Sequence, residues 1–343
     1  MPEKNDERLK KIHTSPKKKH TRYVEKLTKK LKENIQGIKS VLSAQDILVY
    51  EFQAGDGTDC AIVYTDGMTN KQLLGDLAAR PLASLVPSDE KTGFTLDEIK
   101  GALLFPELKE ETQPEKFFAE VLDGNSLLLV DGIDTGLIVG AKMLPVRAVA
   151  EPPTDIAIKG PREGFIEDIK TNMVLLRKRL KTSELKFELQ KAGRRSQTNI
   201  AVCYLDGIVD KKVAEEVIDR IKEIDIDCIP DSSYVAAFIA PRKHSIFREI
   251  GTTEKPDILA AKLAEGRVGI LVDGSPIALT APFILTEDFQ SSEDYFVSPF
   301  MATIFRAIRF VAVIIALLLP AFYVTAQLFK MQLIPLGLML NIA

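Results

Sequence analysis

Histidine and cysteine are scarce in this chain. Its 343 residues include only His13, His20 and His244, and only Cys60, Cys203 and Cys228. No two of them share the close spacing of a zinc site, and no paired pattern suggests a disulfide framework. No metal is expected. No apolar stretch of signal-peptide type opens the chain, so the folded part is read as intracellular. Phosphate-cradling patterns are missing as well: there is no Gly-x-x-x-x-Gly-Lys-Ser/Thr loop and no Gly-x-Gly-x-x-Gly after a strand. Ser232-Ser233 and Ser291-Ser292 lack the strand-elbow-helix frame of a hydrolase nucleophile. Nothing assembles a nucleophile, a base and an oxyanion site, so neither enzyme activity nor a cofactor is expected.

A 46% hydrophobic, 27% charged composition describes folded material with room for about two domains. Its charge is uneven. Residues 1–40 carry 13 Lys/Arg against 5 Asp/Glu, a local +8, which leaves −11 for the rest of a chain whose net charge is −3. The arm, including "SPKKKH" at 15–20, reads as a solvated tail leading into a helix, with no nucleic-acid partner expected.

Near the other end, "FVAVIIALLLPAFYVTAQLF" (310–329) runs without a charge for the length that spans a bilayer core. Arg306 and Arg309 precede it and Lys330 follows it, which favours a cytoplasmic N-terminal side. Pro320 falls inside the run, where a missing backbone donor favours a kink. The apolar residues from 331 to 343 read as the start of a second, truncated membrane segment.

The soluble part repeats. "PEKFFAEVLDGNSLLLVDG" (114–132) aligns without a gap with "PDILAAKLAEGRVGILVDG" (256–274), pairing Pro114 with Pro256, Gly124 with Gly266 and Asp131 with Asp273 at a constant offset of 142. Upstream, "AIVYTDG" and "IAVCYLDG" align with Asp66 on Asp206, an offset of 140. Two related α/β subdomains follow. Asp131-Gly132 and Asp273-Gly274 lie between extended runs and predict hairpins with two-residue I′ turns. Asp66-Gly67 and Asp206-Gly207 precede helical patterns and predict strand-to-helix corners, the first helix carrying Thr69 and Gln72 in capping-box spacing and stopping at Pro81. Four such sites without partners argue against catalytic carboxylates. The haloacid-dehalogenase pattern fails on spacing, and "VDGSP" is only a faint echo of an actin-like phosphate hairpin.

The expected organisation is a basic arm and helix (1–40), α/β subdomain 1 (41–150), a linker with a connecting helix (151–188), α/β subdomain 2 (189–290), a membrane-entry segment (291–309), a transmembrane helix (310–329) and the second segment's start (330–343). Both subdomains are expected to hold mixed sheets. In the connecting segment, Pro161 suits a first helical turn. Phe165, Ile169, Asn172, Leu176 and Leu180 form one stripe, so Asn172 stands where apolar residues belong and must find polar partners. Arg162, Asn172, Arg177 and Arg179 are the candidate assembly or contact residues; no ligand-binding residue is identified.

Three stretches carry a family resemblance: "KGPREGFIEDIKTNMVLLRKRL" (159–180), "TTEKPDILAAKLAEGRVGILVDGSPIALTAPFIL" (252–285) and "FQSSEDYFVSPFMATIFRAIRFVAVIIALLLPAFYVTAQLFKMQLIP" (289–335). In this order they resemble the A subunits of GerA-type nutrient germinant receptors of bacterial endospores, with SpoVAF-like proteins as close relatives. Lys255 departs from the family's usual Arg, and Phe247-Arg248 stands where a Phe-Pro is usual. The resemblance implies a core-facing cytoplasmic N-terminal region, membrane helices, B and C subunit partners, homo-oligomers of A subunits and a spore inner-membrane location. It implies a non-enzymatic part in germination that couples nutrient sensing to ion release. A small-molecule-binding module and a scaffold are the other readings.

Overall fold

The computed structural model describes residues 26–87, 94–143, 161–242, 245, 247–289, 294 and 297–328. Most of the basic arm, the prolines at 152–153, the three histidines and the segment after Leu328 lie outside the described residues.

Lobe 1 contains α1 (Leu31–Val41), β1 (Ile47–Gln53) and β2 (Asp59–Thr65). Lys71–Leu74, Gly75–Ala79 and Arg80–Ala83 then run on as one helix, α2. It is followed by α3 (Leu96–Ala102), β3 (Leu108–Glu111), α4 (Pro114–Leu122), β4 (Ser126–Val130) and β5 (Gly136–Val139). Lobe 2 repeats the plan with α5 (Ile169–Arg179), β6 (Leu185–Ala192), β7 (Thr198–Leu205), α6 (Lys211–Lys222), α7 (Ser232–Ile239), β8 (Gly251–Thr253), α8 (Pro256–Ala264), β9 (Val268–Val272) and β10 (Ala278–Ala281). A 3-10 turn, Leu285–Phe289, leads to the long helix α9, Pro299–Leu328.

The two sheets share one order, β1-β2-β4-β5-β3 and β6-β7-β9-β10-β8. Both are antiparallel between all neighbours rather than mixed. The reason lies in one insertion. Helix α4 carries the chain from β3 to β4 in the same direction, as a βαβ crossover does, but β5 pairs antiparallel with both and separates them. In lobe 2, β10 separates β8 and β9 in the same way.

Helices cover both faces of each sheet. The side chains of Ile62, Leu128 and Leu137 meet α2 and α3 through Leu74, Leu82 and Ile99. On the other face Val63, Leu127 and Leu129 meet Ile35 and Ile38 of α1 and Phe117 and Val121 of α4. In lobe 2, α6 and α7 cover one face and α5 and α8 the other. Burial on both faces explains why β4 and β9 read as unbroken apolar runs rather than as alternating strands. Helices α1 and α5 therefore belong to the repeat, although the sequence reading assigned one to an arm and the other to a connector.

Three local expectations differ from the structure. Asn70, not Thr69, caps α2, its side chain accepting from Leu73 N–H at 3.1 Å. Thr69 donates instead to the Gly124 carbonyl. Pro81 does not end α2: the helix continues to Ala83 after a π-type turn, and the Leu77 carbonyl, which a proline at 81 cannot bond, accepts from Leu104 N–H. Pro161 precedes α5, whose cap is Asp168 accepting from Thr171 N–H at 2.8 Å.

Candidate functional site

The four Asp-Gly sites are turns, and the two hairpin sites also anchor helices. All four glycines have positive φ, between 78° and 88°, which a side chain would strain. The hairpins lack the I′ turn, because Asp131 and Asp273 keep negative φ and the loops are longer than two residues. Their carboxylates cap the repeat's first helix from a distance. Asp131 Oδ1 accepts from Leu31 N–H at 2.7 Å, and Asp273 Oδ1 accepts from Ile169 N–H at 3.4 Å. Each cap satisfies a donor that the helix's first turn leaves open. Ser275, of the "VDGSP" stretch, is buried and donates to Asp231 Oδ1 at 2.5 Å, a structural contact at the start of α7.

Asn172 occupies its apolar stripe because it binds backbone. Its Oδ1 accepts from Ile166 N–H at 2.8 Å and its Nδ2 donates to the Ile166 carbonyl at 2.5 Å. Asn34 does the same for Thr28 on α1, at 2.8 and 2.6 Å. Each amide pins the segment entering its helix.

Helix α5 is buried on nearly every side: residues from Asn172 to Arg177 are all buried, where a helix on one sheet would bury only a stripe. Its second face meets lobe 1. Arg177 Nε donates to Asp46 Oδ2 at 3.0 Å, and Nη2 reaches Oδ1 at 2.9 Å and Oδ2 at 2.8 Å. Both residues are buried. Nη1 donates to the Thr182 carbonyl and Nη2 also to the Leu185 carbonyl, and Cζ lies 5.1 Å from the Phe187 ring centroid. Lys170 pairs with Asp66 at 3.3 Å and Lys181 pairs with Asp123. Lobe 1 thus supplies carboxylates and lobe 2 supplies cations. Asp66 is held below its ordinary value: burial pushes it up, but Lys71 and Lys170 outweigh this.

Of the other sequence candidates, Arg179 donates to Glu163 at 2.8 Å and helps tie down the segment before α5. Arg162 is exposed beside it. Neither joins the Arg177–Asp46 contact.

A second cluster, not anticipated from the sequence, joins lobe 2 to α9. Glu287 in the 3-10 turn is half-buried, with a side chain only 7% exposed that pairs with Lys262 at 3.0 Å and Arg267 at 2.8 Å. Asp294, 5% exposed, receives Arg309 on both oxygens at 2.8 and 2.9 Å and Arg306 at 3.2 Å. Arg309 also donates to the Phe289 carbonyl, and the Phe289 and Phe310 rings meet edge to face at 5.5 Å. The signal in the sequence was the acid-then-two-arginines order of Asp294, Arg306 and Arg309.

A half-open cavity of about 550 Å³ lies between the 43–45 segment and α6, lined by Gln45, Lys186, Glu188, Tyr204, Asp206 and Lys211 among others. Burial lowers the Lys186 pKa, and Lys186 donates to the Val41 carbonyl at 3.3 Å. Among the described residues no group of acids, histidines and cysteines has metal-site geometry. Burial pushes the Cys60 and Cys203 thiols up to about 12, so neither supplies a thiolate at neutral pH.

Two repeated α/β lobes, tied by buried charge and followed by a helix long and apolar enough to cross a membrane, define the class of protein. The chain is 34% identical over 314 residues to the uncharacterized membrane protein YfkQ of Bacillus subtilis, covering 91% of this chain and 61% of that one. It is 35% identical over 307 residues to spore germination protein KA of the same organism, covering 89% and 56%. The crystal structure of the N-terminal domain of the A subunit of the Bacillus megaterium spore germinant receptor GerK3 superposes with a TM-score of 0.59 at 29% identity, covering 77% of this chain and 99% of that one. The family model described as Bacillus/Clostridium GerA spore germination protein matches residues 30–343, and the chain belongs to that family. It spans about three fifths of the length of these two relatives.

Proposed function

We propose that this chain is the A-type subunit of a nutrient germinant receptor in the spore inner membrane. It works with B and C subunits and further copies of itself, its lobes face the core, and it couples nutrient sensing to ion release. The observation that carries this reading is the pair of contacts by which one 3-10 turn ties lobe 2 to α9, Glu287 to Lys262 and Arg267 and, two residues on, Phe289 to Phe310 and Arg309. A movement of the lobes then reaches the membrane helix through this turn. Arg306 and Arg309 lie on the lobe side of the apolar run, consistent with a cytoplasmic lobe side. The span Pro299–Ala326 holds an 18-residue stretch with a mean hydropathy of 2.4, and its 28 residues extend about 42 Å at 1.5 Å per residue. That exceeds the roughly 30 Å apolar core and leaves the Arg-bearing turns outside it. Pro320, inside α9, is proposed as its bending point, since the Ala316 carbonyl loses its usual donor.

The test is complementation. Spores lacking the receptor's A subunit should regain nutrient-triggered germination from a full-length gene carrying this sequence, and failure to regain it in the presence of cognate B and C subunits would remove the reading.

The cavity beside Gln45 and Asp206 favours a second function within the same subunit, binding of a small charged molecule. Millimolar amino acids, sugars and nucleotides should then raise the melting temperature of the lobes. No shift with any class would discard it.

A further inference from the structure

The repeat makes one docking geometry appear twice, once filled and once open. Aligning α1 with α5 at an offset of 138 pairs Lys32 with Lys170, Asn34 with Asn172, Gln36 with Val174 and Lys39 with Arg177. Within the chain, α5 turns Lys170, Val174 and Arg177 toward lobe 1. There Asp66 receives Lys170, the Asp66-Gly67 corner receives Val174, and Asp46 receives Arg177. A Cβ on Gly67 would come within 2.8 Å of Val174 Cγ2.

Lobe 2 carries the same receiving corner. Asp206-Gly207 matches Asp66-Gly67, Glu184 matches Asp46, and the Asp66–Lys71 pair recurs as Asp206–Lys211. Among the described residues no helix fills it. A Cβ on Gly207 would meet nothing within 4 Å, and the Asp206 side chain is 47% exposed against 24% for Asp66. Ile208 is 49% exposed, whereas its counterpart Met68 is 1% exposed. The matching helix face is also uncovered: Gln36 and Lys39 of α1 are exposed, whereas Val174 and Arg177 are buried. Charge is complementary across the two faces, Lys32 against Asp206 and Lys39, which also reaches Glu51 at 3.9 Å, against Glu184.

We propose that copies of this chain join head to tail, α1 of one copy seated on the Asp206-Gly207 corner of the next as α5 sits on lobe 1 within a copy. The partner is a second copy because it alone brings the α1 face that repeats α5. Such a contact is heterologous, so each copy keeps one free face of each kind, and repetition closes into a ring if the rotation allows. The inference deepens the reading of the chain as an assembly subunit and rests on it for the number of copies present together. The cavity shares Asp206 and Lys211 with this corner, which sets it at the edge of the joint.

The test uses the full chain in detergent, in a Cys228→Ser background because Cys228 is the exposed thiol. Mixing a Gln36→Cys protein with an Ile208→Cys protein and oxidising should give disulfide-linked dimers, while each protein alone should give none. No dimer from the mixture, or equal dimer from either protein alone, would overturn the head-to-tail contact. Charge reversal gives a second measurement that needs no cysteine. Asp206→Lys and Lys32→Asp should each weaken self-association about tenfold or more, since like charges then face each other. Combining both in one chain should restore it; a combined variant as weak as the single ones, or single ones without effect, would also overturn the proposal. Cross-linking of purified protein and germination of spores are separate readouts, so failure of one does not imply failure of the other.

Discussion

Arg177 and Asp46 meet in a bidentate, buried ion pair that joins the two lobes across 131 residues of sequence. Both oxygens of the carboxylate are engaged, and the guanidinium also donates to the Thr182 and Leu185 carbonyls. A buried pair of this kind is costly to break and cheap to replace as a whole. Asp46→Ala should therefore lower the stability of the lobes by about 3–5 kcal/mol, because an uncompensated guanidinium stays buried. Arg177→Lys should also destabilise, since an ammonium cannot hold both oxygens. Arg177→Met with Asp46→Leu should be far milder than either single change. Urea unfolding of residues 26–289 measures all of these, and an Asp46→Ala cost below about 1 kcal/mol, the range of exposed pairs, would contradict the burial argument.

Asn172 and Asn34 test the pinning of the helix entries. Asn172→Leu fits the apolar stripe better by pattern, yet it strands the N–H and carbonyl of Ile166. Each stranded buried group costs about 1–3 kcal/mol, so a net loss is expected despite the gain in apolar surface. Asn172→Asp keeps the acceptor but sets a carboxylate against the Ile166 carbonyl, and it should be at least as damaging. The unfolding midpoint reports this, and a stabilised Asn172→Leu variant would show that the pin is dispensable.

These residues also mark what could and could not be read from the sequence. The duplication was legible because α4–β4 and α8–β9 keep their prolines, glycines and apolar runs at a constant offset. The hairpin and corner positions of the four Asp-Gly pairs followed from their apolar flanks. The kinship of α1 and α5 was harder to see, since their shared surface is a buried Asn and a Lys amid diverged residues, and their outer faces differ in burial. Asn172 stood out as a polar residue on an apolar stripe, but its partner is backbone, which carries no sequence signal. The partner of Arg177 is fixed by tertiary contact alone, so nothing near it in the chain identifies Asp46. Pro81 misled because a rescue by Leu104 N–H is likewise non-local. The all-antiparallel sheets were missed because helix-linked strands suggest parallel neighbours, and only β5 and β10 inserting between them removes the parallel pairing.

Asp231 gives a pH test. Burial pushes its carboxyl up, but hydrogen bonds from Ser275 Oγ and the N–H groups of Ser233 and Ser232 hold it down at about 2, against an ordinary 3.8. A depressed folded-state value means the unfolded chain takes up this proton first as pH falls. The contribution is complete above 3.8 and disappears on descending to about 2. Asp231→Asn should thus flatten part of the stability loss in that interval while leaving the slope near neutral pH unchanged. Unfolding curves at closely spaced acidic pH values decide it; an unaltered acid slope would mean that the carboxyl does not titrate as this geometry requires.

The clamp at Asp294 tests coupling apart from folding. Its side chain bonds Arg306 and Arg309, and Asp294 is not a member of either lobe's apolar core. Asp294→Ala should consequently leave the urea midpoint of the lobes unchanged. It should loosen the first turns of α9, because Arg306 and Arg309, 40% and 36% exposed, lose the carboxylate that holds them to the segment before the helix, a loss of about 1 kcal/mol for a solvent-screened pair. By the open-state population this corresponds to a fall of about fivefold in amide protection over residues 299–309 in detergent. In the full-length gene the same change should blunt nutrient-triggered germination while the protein still accumulates in the membrane. If protection falls and germination proceeds normally, the clamp is a packing detail and the signal reaches the membrane by another route. If protection does not fall, the Phe289–Phe310 contact alone holds the helix, and Phe289→Ala becomes the variant that separates the lobes from α9.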